Sequence, residues 1–546
     1  MTSPPLIVAF TASVAFLVWR FARTVFAPGN SVEQLPGPPP QSWAKGMSNR
    51  NMGQIFHYNA WEYIRNLSET YGPICCVHSF FGTKAILNYD VKVMHAVYIK
   101  DKETWHRSRL GLQTGMACLG PGLLSTQGDT HRRQRKMLNS VFSAQYMRGL
   151  TPFFYEVAGK LESSMAARVN TGDEQLDVVG WMGRAALELI GQGALGHSFD
   201  PLVVDSKNAF TDTVKSFFPS MADIRYAFAL LTMAGGARGP RWLRRLIVRA
   251  WPDPAVQRMR RHTEVMSEFG SRLIAEKRAA IERGDDALLH QIGEGKDVMS
   301  ILLRENTAAS AEDRLPDEEL LAQISTFILA GVDTTSNALA RVLEVLSLHP
   351  EAQERLRSEI LEARTQYGRE IPYDELNALP YLDAVCRETL RLYSPVTFST
   401  REATKETVLP LSEPVNGLDH IVVPKGTMVI TNIAACNTQK ALWGEDAYEW
   451  NPDRWLKPLP VALDEARIPG IYANSFTFSG GAYSCIGLKF SQLEMKVVLS
   501  TLVAAFRFEP GTKKYVWNLA VVAYPAAHVG DKDPEMMLKV NPVKVS

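Results

Sequence analysis

Cysteine is scarce in this chain: Cys75, Cys76, Cys118, Cys386, Cys436 and Cys485 are the 6 found in 546 residues. They are too few for a disulfide scaffold and lack the C-x-x-C pairs of a zinc site, so a reducing environment is the default for the main body. An excess of either charge is also missing. Lys plus Arg (59) nearly cancels Asp plus Glu (58) for a net +1, which removes any global electrostatic case for nucleic acid as a partner. There is no repeat at a solenoid period and no low-complexity linker long enough to separate domains. The 11 histidines form no motif that would mark a general base beside a nucleophilic cysteine.

What the chain does have begins at its N-terminus. Residues Leu6 to Trp19 form an unbroken run of low polarity, continued to Phe26 with Arg20 and Arg23 interposed. The span is about 20 residues, roughly what a bilayer core requires, and the arginines can snorkel at one end. A cleaved signal peptide is the competing reading, but the charged n-region is missing and the positive charges follow the apolar run. The positive-inside rule then puts the body of the protein on the cytoplasmic side. The expected division is a transmembrane anchor over 1–27, a proline-rich hinge over 28–41 containing Leu35-Pro-Gly-Pro-Pro-Pro40, and one large, mainly helical domain with a minor β-sheet over 42–546.

The clearest element of that domain runs between Pro316 and Pro350. Asp317, Glu318 and Glu319 suit a helix start, and about 30 residues would span some 45 Å. Shorter helical patterns cover Thr130–Phe142, Ala255–Arg283, Glu351–Gln366, Leu379–Leu392 and Ile486–Phe506, and β-type runs fall within His420–Ile433. In Arg241–Trp251 the apolar residues Trp242, Leu243, Leu246, Ile247, Ala250 and Trp251 share one helix face and Arg241, Arg244, Arg245 and Arg249 the other. That is the pattern of an interfacial membrane helix or of an ordinary surface helix packed on a core.

The stretch Phe478–Phe490, FSGGAYSCIGLKF, places Cys485 after a glycine-rich turn, where a helix is expected to begin. A thiolate there would meet unpaired backbone N–H groups and the positive end of the helix dipole. Gly480, Gly481 and Gly487 remove side chains on both sides, as a flat, bulky partner would need. Haem iron with an axial thiolate fits this arrangement best.

Phe478-x-x-Gly481-x-Tyr483-x-Cys485-x-Gly487 resembles the cysteine-ligand signature of the cytochrome P450 haem-thiolate monooxygenases. Three further motifs are similar to that family's and follow in its order. Ala330-Gly-Val-Asp333-Thr334-Thr335 resembles the oxygen-activation groove, with Asp333 and Thr334 supplying protons; a hydroxyl beside a carboxylate is a proton-relay pair. Glu388-Thr-Leu-Arg391 with the downstream Arg454 resembles the family's structural triad, its first two members sharing a helix face. In Gly128–Leu138, His131 and Arg135 occupy positions that in the family reach the haem propionates, and Arg401 resembles the third such contact. Two departures are visible: Tyr483 stands where Arg or His is usual, and His131 where Trp is common. A phenol offers one neutral hydrogen bond in place of a charged fork.

The resemblance implies a cytochrome P450 fold holding haem b, with Cys485 as the metal ligand, Asp333 and Thr334 as catalytic residues, and His131, Arg135, Arg401, Phe478, Gly481, Tyr483 and Gly487 at the cofactor. It implies monooxygenation with electrons from a separate NADPH-cytochrome reductase, in the endoplasmic reticulum membrane. Arg132, Arg133 and Lys136, with Lys489, are candidates for a basic patch facing that reductase. Pocket segments inferred by position, His106–Leu119, Ser216–Leu231, Phe327–Ala330, Val396–Thr400 and Ala520–Pro525, are mostly apolar and favour a lipophilic substrate. The wording of the motifs resembles fungal, basidiomycete-like microsomal members, which suggests terpenoid or other secondary metabolism by analogy. The alternatives are a haem-thiolate isomerase or dehydratase working without dioxygen, and a non-catalytic haem-binding membrane protein. A cytoplasmic body never meets the glycosylation machinery, so the sequon Asn66-Leu67-Ser68 should be unmodified; intact-mass analysis of protein purified from its native membranes checks this, and a glycan on Asn66 would reverse the topology.

Overall fold

The computed structural model describes residues 31–39, 51–79, 83–200, 202, 209–224, 241–284 and 297–543. The expected membrane anchor, 1–27, lies outside the described residues. Among the described residues, no helix is long and apolar enough to cross a membrane. The chain forms two compact units, one built from residues up to Ser108 together with Phe398–Cys436, the other from Arg109–Thr397 and Asn437 onward.

The first unit contains helix α1 (Trp61–Tyr71) and strands β1 (Ile74–His78), β2 (Lys84–Asn88), β3 (Trp105–Arg107), β4 (Phe398–Ala403) and β5 (Met428–Asn432). These make one sheet in the order β1-β2-β5-β4-β3. Only the β2–β5 pair is parallel, with Ala85 opposite Met428. Cys75, Val77, Ala85, Leu87 and Ile430 carry its inner face onto Met52, Ile55 and Leu67. A separate hairpin joins Thr407–Val415 to Leu418–Val423 through Asn416-Gly417, both at positive φ (51° and 80°), the tight turn such pairs favour. The described part of the proline-rich stretch lies against β1: Val32 and Leu35 are buried, and the Pro36 carbonyl accepts the Cys76 N–H at 2.8 Å. A side chain at Gly37 would strike the Cys76 carbonyl. In the sequon, Asn66 is exposed on α1, while the Ser68 hydroxyl is turned inward onto the Ile64 carbonyl at 3.1 Å.

The second unit is mainly helical: α2 (Gly128–Asn139), α3 (Ala144–Asn170), α4 (Val178–Ile190), α5 (Ala209–Lys215), α6 (Pro254–Arg283), α7 (Asp317–Leu348), α8 (Pro350–Tyr367), α9 (Pro380–Leu392) and α10 (Leu488–Ala505). Small sheets pair Gln175–Asp177 and Phe506–Pro510 with Met537–Pro542, and Val516–Asn518 with Tyr524–Ala526. The 32-residue α7 is about 48 Å long. Its first-turn acids oppose the helix dipole, and Pro350 opens α8 directly beyond His349. Most of α7, from Leu320 to Ser347, is buried, so it runs through the core of this unit, between α4 and the later helices. The expected basic helix forms at Arg241–Ala250. There Leu246 and Arg249 are exposed, and Val248 and Trp251 pack on the core; the side chains of residues 241–245 lie outside the description.

Candidate active site

Cys485 lies three residues ahead of α10 rather than at its first turn, because Gly487 is the helix's N-cap. It belongs instead to a loop closed on itself: its N–H donates to the Phe478 carbonyl at 2.9 Å, and the Ser479 N–H donates to Phe476 O at 2.9 Å. The glycines have separate reasons for being there. A Cβ at Gly480 would collide with the Pro469 carbonyl. Gly481 adopts φ 67°, and Ser479 reaches φ 58°, a conformation that costs energy for a residue with a side chain. Gly487 borders the sulfur, its missing Cβ position lying 4.0 Å from Sγ.

Cys485 is exposed, whereas the other five cysteines are buried. Burial pushes the thiols of Cys118, Cys386 and Cys436 up to about 12, which leaves them inert packing groups. The protein packed around Cys485 raises its thiol as well, against the Gly487 N–H and the Arg135 guanidinium, which lower it. The polypeptide alone thus favours the thiol, and a metal ion coordinated there would favour the thiolate.

The loop is held from behind. Glu388 and Arg391 on α9 are fully buried and form a two-pronged pair, Arg391 Nε to Oε2 and Nη2 to Oε1, each 2.8 Å. Arg454 Nε reaches Glu388 Oε1 at 3.3 Å and the Trp455 indole N–H reaches Oε2 at 2.9 Å. Arg391 Nη1 also donates to the carbonyls of Asn437 (3.0 Å) and Ala447 (2.7 Å), and Arg454 pairs with Asp446 at 2.9 Å. Asn437 then passes the constraint on: its Oδ1 accepts the Phe476 N–H at 2.8 Å and its Nδ2 donates to Thr477 Oγ1 at 2.9 Å. The triad is thus wired to the start of the cysteine loop. Asn437, Asp446 and Trp455 were missed in the sequence because their roles depend on contacts across the fold.

On α2, His131 is buried and its ring lies 4.4 Å from that of Tyr483, tilted by 49°. The two residues that depart from the family pattern are therefore neighbours. Arg135 is tied to the cysteine loop through Ser484 O at 2.5 Å and to Asn139 Oδ1 at 3.2 Å; burial lowers its guanidinium below the usual arginine range and Cys485 acts the other way. The expected basic patch is largely compensated: Arg132 pairs with Asp129 (2.7 Å), Arg133 with Glu319 (2.6 Å) and Lys136 with Asp313 (2.9 Å). Arg401 belongs to the first unit, on β4, where it donates to Thr400 O at 2.9 Å and lies over the Tyr98 ring at 4.6 Å.

At the middle of α7 the Thr334 hydroxyl donates to the Ala330 carbonyl at 2.6 Å. Ala330, Gly331 and Thr334 are half-buried in a helix that is otherwise mostly buried. A side chain on Gly331 would press into Ile190 of α4 at 2.9 Å. Asp333 is buried, and desolvation pushes its carboxyl from an ordinary 3.8 to about 8, with Lys215 lowering it. Of the expected pocket aromatics, Phe327 lies edge-on to Phe142 at 5.9 Å and Phe217 edge-on to Phe218 at 5.9 Å; residues 225–231 lie outside the described residues.

Among the described residues, no cluster of three or more His, Cys, Asp or Glu could hold a metal ion. Cys485 is a single soft donor, the donor set expected where a macrocycle brings the iron's remaining ligands, and the exposed sulfur with Arg135 beside it fits haem.

A family model described as Cytochrome P450 matches residues 36–519. Cytochrome P450 monooxygenase 91 of Postia placenta is 46% identical over 518 residues, 94% of each chain. Ganoderic acid synthetase CYP5150L8 of Ganoderma lucidum is 46% identical over 550 residues, 99% of each chain. Cytochrome P450 monooxygenase 212 of Postia placenta is 46% identical over 523 residues, 93% of each chain.

Two predictions come from this geometry. Replacing Glu388 by Ala leaves Arg391 buried without its carboxylate, so denaturant unfolding should show a loss of about 3–5 kcal/mol; a loss below about 1 kcal/mol would disprove the bracing role. Asp333 carries its proton in the folded state up to about pH 8 but ionises near pH 4 when unfolded, so its stabilising contribution is complete below about pH 4 and is lost as pH rises to about 8. Asp333→Asn should therefore gain stability relative to the parent as pH is raised across that interval, and parallel stability curves would show that Asp333 ionises normally.

Proposed function

Because the chain belongs to the cytochrome P450 family of oxidoreductases, we propose that it is a membrane-anchored haem-thiolate monooxygenase inserting one oxygen atom into a lipophilic substrate. Dioxygen, NADPH, a proton and the substrate C–H bond give the alcohol, NADP⁺ and water. The observation that carries this reading is the exposed Cys485 at the tip of a loop braced by Glu388 and Arg391.

Haem b, when bound through Cys485, supplies the redox chemistry that activates dioxygen. The chain supplies the rest. The Gly487 N–H and Arg135 favour negative charge on Sγ. Arg135, His131, Tyr483 and Arg401 are the candidates for the cofactor's propionate edge, with Phe478, Gly481 and Gly487 shaping the loop beneath it. Asp333 and Thr334 hold and pass protons: burial keeps the Asp333 proton up to about pH 8, and the half-buried Thr334 hydroxyl beside it donates to the Ala330 carbonyl.

The substrate class proposed is a terpenoid or related lipophilic secondary metabolite, supported by the relative named ganoderic acid synthetase and by the aromatic side chains Phe217, Phe218 and Phe327. Electrons come from a separate NADPH-cytochrome reductase. Its docking face includes the exposed Lys489 and the outer parts of Arg132 and Lys136. An anchor at 1–27 in the endoplasmic reticulum membrane, with Arg20 and Arg23 on the cytoplasmic side, puts the catalytic body beside that reductase.

The test is reconstitution with purified reductase. The dithionite-reduced protein with carbon monoxide should show the strongly red-shifted Soret band of a thiolate-ligated haem, lost in Cys485→Ala. Thr334→Ala should keep the band and divert NADPH electrons to peroxide. Turnover without NADPH or dioxygen consumption would replace the oxygenase with an isomerase, and unchanged coupling in Thr334→Ala would remove the proton-relay role.

A further inference from the structure

Buried polar atoms in a folded chain are almost always hydrogen-bonded, so one that is held in place without a partner calls for an explanation. Two such atoms lie where the loop ahead of α2 crosses α7. Gln323 of α7 is fully buried. Its Oε1 accepts the Leu123 N–H at 3.2 Å, which fixes the orientation of the amide, and its Nε2 has no partner among the described residues. Two positions beyond Leu123, the buried Ser125 hydroxyl is also without a partner there. The half-buried Gln113, on the helix Arg109–Cys118, and Gln127 each add an unmet side-chain carbonyl oxygen.

Loose packing does not account for these atoms. The loop is pressed onto α7, since a Cβ at Gly122 would lie 2.6 Å from Thr326 Oγ1 and 2.8 Å from the Ala322 carbonyl, and one at Gly115 2.7 Å from Ser125 Oγ. Polar neighbours in the same contact are satisfied: the Thr126 hydroxyl donates to the Gly122 carbonyl at 3.1 Å, and Gln134 Nε2 to the Pro121 carbonyl and to Glu319, each at 2.8 Å. Gln323, Phe327, Ala330 and Thr334 succeed one another at helical spacing and share a face of α7. The unmet amide thus stands on the stripe that carries Ala330 and Thr334, about 10–16 Å away along the helix.

We propose that Gln323 and Ser125 form a subsite for a hydroxyl group of the substrate, so that the lipophilic molecule arrives already oxygenated and is oxidised at a site remote from that oxygen. The inference rests on the oxygenase reading and narrows its substrate class. A hydroxyl is the group that matches the set: Nε2 only donates, the Gln113 and Gln127 carbonyl oxygens only accept, and Ser125 does either. A carboxylate would meet those acceptors with no cation among the four residues, and a hydrocarbon would leave every one of them buried and unmet. A reaction that installs a hydroxyl on the carbon skeleton therefore precedes this one.

The experiment measures binding of two alcohols, farnesol and cholesterol, and of the two hydrocarbons that lack their hydroxyl, to the full-length holoprotein. Binding is followed by the haem Soret shift and independently by thermal unfolding. In Ser125→Ala and in Gln323→Met at least one alcohol should bind about 3–10-fold more weakly, the size of one lost hydrogen bond, while its hydrocarbon binds as in the parent or more tightly. Ser125→Ala removes an unmet hydroxyl and should unfold at or above the parent's temperature; it serves if Gln323→Met, which also loses the Leu123 contact, fails to fold. Failure of both alcohols to bind the parent, alcohol affinity unchanged in a variant that folds, or equal weakening of alcohol and hydrocarbon overturns the subsite. Each of these leaves the oxygenase reading standing where the carbon monoxide band and NADPH coupling persist. Loss of that band in the parent removes the oxygenase reading instead, and thermal unfolding still compares alcohol with hydrocarbon.

Discussion

A fully buried carboxylate sets the terms for the rest of the site. Glu388 lies in an environment where an unpaired charge would cost several kcal/mol. It is tolerated because Arg391, Arg454, the Trp455 indole and the Asn451 N–H all point at its two oxygens. Those donors bring their own requirements: Arg391 also grips the carbonyls of Asn437, Ala447 and Glu449, and Arg454 grips Asp446 and the Trp443 carbonyl. Each bond made to relieve one buried charge fixes another stretch of backbone, so the cost of desolvation is converted into rigidity.

That rigidity is spent on the loop that carries Cys485. Ser479 and Gly481 sit at positive φ, and a free surface loop would relax out of such a conformation. It cannot relax here because Asn437, anchored by Arg391, holds Phe476 and Thr477 at the loop's start, and α10 begins at its end. Cys485 is left exposed on a loop held at both ends. A ligand position needs this combination, and the five buried cysteines lack it.

The elements that depend on local pattern were legible in the sequence. The long helix was expected between Pro316 and Pro350 and spans Asp317–Leu348, because its acidic first turn and bounding prolines act within a few residues. The Glu388–Arg391 pair was legible because i,i+3 residues on a helix must share a face. Pairing at a distance was not. Glu319 reaches Arg133 across 186 positions and Asp313 reaches Lys136 across 177, so a run read as a basic patch is mostly neutralised. Gly480 read as clearance for a cofactor, yet the carbonyl of Pro469 already requires it. Ser125 and Gln323 gave no signal, since neither belongs to a motif and their meaning exists only once the loop ahead of α2 is packed on α7.

Cys485 and Asp333 share one electrostatic condition. Desolvation by the surrounding protein raises both the thiol of the exposed Cys485 and the buried Asp333 carboxyl, so the polypeptide by itself favours the neutral form of each. Against that, each acid has one nearby cation placed by the fold: Arg135, tied to the cysteine loop through the Ser484 carbonyl, and Lys215, carried through the gap at Gly183. An acid held between desolvation and one opposing attraction changes its charge for a smaller free energy than desolvation alone would demand. Four residues donate to the two oxygens of Glu388, whereas a single cation, Arg135 or Lys215, opposes desolvation at Cys485 and at Asp333.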